Sequence, residues 1–261
     1  MNVTLLRNLA CLLLVGLLVS SLQTQNYLLL SLWGVCTGLL FIYKPMRSFL
    51  LTTIGLGVGF ASYLFINANW IHDVEPKEWQ ILLNRLSLIC MIIPLLILAL
   101  MQKVPFMRYA KAPHWNERMG IPLIWSGFRQ SKVKYFLLIA MAAITLAFMP
   151  FVIRNGWHNV QEIWLFAIAF SITNVLEEII WRGILLSRFS EQLGDKGAVF
   201  VTSVGFGLQH YSLGFSWGVC IAYAIGGLYF GGITIKSRSI VPVLIWHSWI
   251  NVLMIFSGFL L

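Results

Sequence analysis

"YFLLIAMAAITLAFMPFVI", residues 135 to 153, is a run of nineteen residues without a single charge. At ~1.5 Å per residue a helix of this length reaches about 28 Å, close to the ~30 Å hydrocarbon thickness of a bilayer. Similar apolar runs recur at about 9–22, 26–43, 48–68, 82–101, 162–187, 198–213, 217–235 and 240–260. Over the whole chain 59% of residues are hydrophobic and 10% charged, where soluble domains carry roughly 25% charged residues. The expected fold is therefore all-α, a polytopic transmembrane helical bundle of about eight or nine spans, with no sizeable soluble domain. The first run lacks a clear small-residue cleavage site and reads as an uncleaved span rather than a signal peptide.

Working outward from residue 135, the preceding segment 102–134 holds seven basic residues, Lys103, Arg108, Lys111, Arg118, Arg129, Lys132 and Lys134, against one acid, Glu117. By the positive-inside rule it is cytoplasmic, and the net charge of +9 reads as topology signals in short loops rather than as a nucleic-acid-binding surface. The four cysteines, Cys11, Cys36, Cys90 and Cys220, lie in apolar runs without C-x-x-C spacing, so neither disulfides nor a thiolate metal site is expected. Gly227 and Gly231 stand at the small-x-x-x-small spacing that lets a second helix come close. Residues 1–135 carry N-terminal spans and the basic loop without an assignable motif. Residues 136–261 form the candidate catalytic core, expected in the cytoplasmic membrane of a prokaryote.

The apolar pattern makes one stretch conspicuous: "TNVLEEIIWRGILL", 173 to 186. Among the last four runs the strongly polar side chains are Glu177, Glu178, Arg182, Gln209, His210, His247 and Asn251. Ionisable groups at membrane depth cost at least ~2.5–3.5 kcal/mol each on an isolated helix and mark functional sites by default. Measured from the nearest cytoplasmic basic residue, Glu177 lies about 16 Å deep, His210 about 21 Å, His247 about 14 Å and Asn251 about 20 Å. Three helices thus deliver a carboxylate, two imidazoles and an amide to one layer. Glu178 and Arg182, at i and i+4, can pair on one helix face, while Glu177 points about 100° away and is left for chemistry. Taken singly, a buried His or Asn is as readily an interhelical hydrogen-bond former; His72, His114 and His158 fall in loops and read as solvated.

A desolvated carboxylate and histidine can orient and deprotonate a water, and a second histidine with an amide can hold the resulting oxyanion. That is hydrolysis of an amide without an acyl-enzyme, and no G-x-S-x-G elbow is present. Zinc bound by two His and one Glu is the competing chemistry, although no H-E-x-x-H occurs. The rival from another class is a non-catalytic immunity or adaptor protein. A proton-coupled transporter is disfavoured by the lack of internal repeats.

The stretches "EEIIWRG" (177–183), "FGLQH" (206–210) and "HSWIN" (247–251) resemble, in order and spacing type, the three motifs of the CAAX protease and bacteriocin-processing family. Its members are membrane-embedded glutamic endopeptidases related to the Ras-converting CAAX enzyme. The resemblance covers about residues 160–258. It implies that Glu177 is the general base, that His210 helps to activate the water, that His247 and Asn251 stabilise the oxyanion, and that Glu178 and Arg182 support the geometry. No resident metal is expected from the residue pattern, and the resemblance leaves zinc as the inherited alternative. The partner it implies is a membrane-anchored or lipidated protein or peptide rather than nucleic acid.

Overall fold

The computed structural model describes residues 3–259 of the 261. Its helices are α1 (Val3–Gln23), α2 (Tyr27–Phe41), α3 (Arg47–Ile66), α4 (Lys77–Leu86), α5 (Ile89–Met101), α6 (Val133–Asn155), α7 (Trp157–Glu178), α8 (Leu186–Gln209), α9 (Trp217–Ser237) and α10 (Val241–Phe256). The strands β1 (Arg118–Leu123) and β2 (Ser126–Lys132) make one antiparallel hairpin. The fold is the expected all-α membrane architecture. Among the described residues six helical stretches are long and apolar enough to cross a bilayer, and the two shorter helices α2 and α10 are also apolar.

The run that opens the sequence becomes α6, and its burial explains its composition. Only Val133 and Leu137 of this helix are buried, while Leu138, Ile139, Leu146 and Ile153 are each more than 60% exposed. Such an apolar surface is stable only where lipid covers it. Another helical stretch, Trp157–Leu213, is 57 residues long, about 85 Å at the α-helical rise, far more than one crossing. It is broken at Gly194 (φ 72°, ψ 163°) and contains a π-helical segment, Ile179–Leu185. Two of the expected apolar runs, 162–187 and 198–213, share this stretch.

The chain resolves into two compact units, neither continuous in sequence. One comprises the stretch ending at Phe65 together with Ile89–Tyr109 and Ile180–Gly232; the other comprises Ile66–Leu88, Ala110–Ile179 and Ile233–Leu261. In the first, α1 packs on α8 through the stripe Cys11, Leu14, Val15 and Leu18, all buried and spaced for one helical face. Here α8 and α9 approach closely at small residues: a Cβ on Gly227 would stand 3.0 Å from Ser203 Cα, and one on Gly231 would stand 3.0 Å from Val199 Cγ1. The small-residue spacing read from the sequence thus marks a helix contact. All four cysteines are unpaired.

In the second unit α7 is packed by α10 and α4, and α6 lies against α10. Gly156, at φ 90° and ψ 146°, turns the chain between α6 and α7 in a conformation that favours glycine. Ala167, Phe170 and Ile255 form the buried centre, with Ile81 and Leu82 of α4 packed against it. Hydrogen bonds at the edges fix the arrangement: Trp249 Nε1 donates to Thr145 Oγ1 at 2.8 Å, and Asn155 Nδ2 to the Phe256 carbonyl at 3.0 Å.

Candidate active site

The second unit collects Glu177, Glu178, His247 and Asn251, all at most 8% exposed. The two glutamates end α7, and the His/Asn pair sits one turn apart on α10. Ser171 Oγ reaches the Ser248 carbonyl at 3.3 Å, which locks the two helices beside the site. His247 Nδ1 lies 2.8 Å from Glu178 Oε1. An ionised carboxylate only accepts, so Nδ1 carries the proton and donates it, and the imidazole ring is fixed in orientation. Its other nitrogen, Nε2, is turned towards Glu177 Oε2 at 4.0 Å and towards Asn174 Nδ2 at 3.5 Å. Helix spacing assigns Glu178 a supporting role next to Arg182; the fold adds a partner 69 positions away.

Glu177 has a partner that sequence reasoning missed. Arg85, from α4, donates from Nη1 to Glu177 Oε1 at 2.9 Å. Both groups are buried, Arg85 at 7% and Glu177 at 1% exposure, and the guanidinium also lies over the Phe170 ring, 5.5 Å from its centroid. A charge-assisted bond in such a low-dielectric setting is strong, and either ion alone would be costly to leave there. The signal that could have found Arg85 was in the sequence. It is a charged residue near the start of the apolar run 82–101, which meets the criterion that singles out Glu177, although it lies outside the last four runs. Asn174, 4% exposed, was likewise not foreseen.

Asn251, one turn beyond His247 on the same helix, is 3% exposed.

The first unit holds the other two candidates. His210 closes α8 and opens the short 3-10 turn His210–Leu213. Its Nδ1 lies 2.7 Å from the Phe206 carbonyl, so Nδ1 is the donor there and Nε2 keeps its lone pair in the neutral ring. The ring stacks on Tyr223 with centroids 3.8 Å apart and is 4% exposed. Arg182 sits over Phe206 at 4.0 Å and Phe230 at 5.2 Å, in the cation–π geometry that compensates a buried guanidinium. Trp181 Nε1 donates to Gln209 Oε1 at 2.9 Å. Arg182 and Trp181 belong to the π-helical segment 179–185, and such segments are frequent at functional sites. Among the described residues no group of three or more His, Cys, Asp or Glu side chains is arranged to hold a metal ion.

Six long apolar helical stretches among the described residues, together with buried carboxylates, imidazoles and guanidinium groups in each unit, define an integral membrane protein. Comparison with known families makes this specific: residues 159–253 match the family described as type II CAAX prenyl endopeptidase, Rce1-like. The match spans 95 of the 261 residues, and over that segment the chain is similar to this group of CAAX endopeptidases. The matched segment contains Glu177, Glu178, Arg182, His210, His247 and Asn251, whereas Arg85 lies outside it. Neither curated proteins nor solved structures gave a match.

Proposed function

We propose that the protein is an intramembrane endopeptidase that hydrolyses a peptide bond of a membrane-anchored or lipidated substrate through an activated water. Glu177 takes the proton of the water as it attacks the scissile carbonyl and returns it to the leaving amine. Asn251 and His247 donate to the oxyanion of the tetrahedral intermediate. With Nδ1–H committed to Glu178, a donating Nε2–H requires the doubly protonated imidazolium, and the Glu178 carboxylate supplies its counter-charge. His210, with its Nδ1 held by the Phe206 carbonyl, offers Nε2 as an acceptor and is assigned to the water by the motif resemblance. The observation that carries the reading is the buried set in which Glu178 fixes His247 at 2.8 Å while Glu177 stands 4.0 Å from the other ring nitrogen. Arg85 then holds Glu177 by one carboxylate oxygen.

The test is cleavage of a fluorogenic, prenylated CAAX peptide and of a peptide carrying its own membrane span by the purified protein in proteoliposomes. Glu177→Gln is expected to abolish cleavage. Asn251→Ala is expected to lower kcat by about 10²–10³, the usual cost of one oxyanion donor, with KM little changed. A strong zinc chelator is expected to leave the wild type active; loss restored by added zinc would replace the glutamic mechanism with the zinc-dependent one. Full cleavage by Glu177→Gln would refute the base assignment. No cleavage of either peptide, with the fold intact, would favour a non-catalytic immunity or adaptor role.

A further inference from the structure

The basic loop read from the sequence contains structure that topology alone does not call for. Strands β1 and β2 pair from Arg118↔Lys132 to Leu123↔Ser126, and the hairpin leans on the protein through Met119 and Ile124, 1% and 4% exposed. Arg118 and Lys132 are direct cross-strand partners, so two cations share one face, an arrangement that repels. Both are exposed, and among the described residues neither forms an ion pair. Lys132 is also the residue that caps α6, which places the like-charged pair where a transmembrane helix leaves the bilayer. Farther along the hairpin the register shifts after Ile121. The close approach at this bulge needs Gly127, where a Cβ would collide with the Ile121 carbonyl oxygen. The extra residue in β2 is Phe128, which is 85% exposed, and Leu123 near the turn is 60% exposed.

We propose that this hairpin is a membrane-surface anchor that lies on anionic phospholipid headgroups, with Arg118 and Lys132 on the phosphates and Phe128 and Leu123 inserted at the acyl boundary. Three observations select lipid as the occupant. The cations begin at the first residue before a span, which is headgroup level. An anion between Arg118 and Lys132 removes their repulsion. The exposed aromatic and aliphatic side chains supply the apolar half of an interfacial element, and anionic leaflets attract basic segments next to spans. Placing the loop on the cytoplasmic side needs only the basic residues; it gives no reason for a bulge that turns a phenylalanine outward.

The experiment uses the full chain with its four cysteines replaced and Ser126→Cys at the turn labelled with an environment-sensitive fluorophore. The protein is reconstituted in nanodiscs of phosphatidylcholine alone or with phosphatidylglycerol. Anionic lipid is expected to shift the label to the blue and to expose it to quenching by spin-labelled lipid, with reversal in high salt. Arg118→Gln/Lys132→Gln should lower the docked-to-undocked ratio by roughly 30-fold, the two-residue effect of basic side chains at an anionic surface. Phe128→Ser should lower it as well. Arg129→Gln, paired instead with Ile121, should change it less than the double variant. Inorganic phosphate added to phosphatidylcholine nanodiscs should produce no shift. A label that reads the same in both lipids would overturn the proposal. So would an Arg129→Gln effect equal to that of the double variant, which would mean that net charge rather than this face matters. None of these readouts depends on peptidase activity.

Discussion

Replacing Arg85 by methionine removes one member of the buried pair with Glu177 while keeping an apolar stem of similar length under the Phe170 ring. The pair is short, 2.9 Å between Arg85 Nη1 and Glu177 Oε1, and its side chains are 9% and 1% exposed, so water does little to compensate a stranded carboxylate. Deleting one partner of such a pair costs about 3–5 kcal/mol, whereas replacing both with well-packed neutral groups is often near neutral. For a chain of this size that corresponds to a fall in melting temperature of about 6–20 °C. Arg85→Met and Glu177→Gln are each expected to lower the thermal midpoint, and the double variant to melt well above the value the two losses would add up to. The assay is intrinsic tryptophan fluorescence of the detergent-solubilised protein during heating, arranged as a double-mutant cycle. If Glu177 is the base proposed above, Arg85→Met should also reduce peptide cleavage, because Glu177 loses the contact that aims it, and Arg85→Lys should recover part of both effects. Strict additivity of the two single changes, with no coupling beyond error, would refute the claim that this ion pair holds the candidate base.

Two further outcomes follow from packing and titration. Gly207 of α8 faces α9 so closely that a Cβ would lie 2.5 Å from the Cys220 carbonyl oxygen, while at Gly218 nothing lies within 4 Å; Gly207→Ala should destabilise by about 1–3 kcal/mol, and Gly218→Ala should melt at or slightly above the wild type, as thermal unfolding will show. Tyr109, in the segment outside the spans, is buried beneath its contact with Ser190 at 3.4 Å, and that burial raises its phenol above the ordinary value of 10.0. The neutral phenol therefore contributes stability below pH 10.0 that is lost as the pH rises through the higher folded-state value. A pH series of melting curves should fall more steeply at the alkaline end for the wild type than for Tyr109→Phe.

Much of this protein is legible without coordinates, because the signals are local. An uncharged run such as 135–153 can only be solvated by lipid, so α6 follows from composition and length. The glutamates at 177 and 178 stand out because charge at that depth is costly wherever the helix goes, and Gly227 and Gly231 announce a close contact because nothing larger fits. The motif order marked the segment that the family comparison also matched. What the sequence could not supply was which buried charge meets which. The Arg85–Glu177 bond spans 92 positions and the His247–Glu178 bond 69, and nothing in either local pattern encodes the distance between α4, α7 and α10. The i, i+4 rule offered Arg182 as the partner of Glu178, and only packing α10 against α7 shows that an imidazole also reaches that carboxylate. The hairpin at 118–132 escaped for the converse reason. Its strands are short, polar and interrupted by proline and glycine, so their alternation is weak, and tertiary contacts at Met119 and Ile124 are what make it a structure. Composition and spacing thus fixed the membrane class and the polar residues worth following, while long-range packing alone decided their partners, since a helix sequence specifies its own faces but not the neighbour each face will meet.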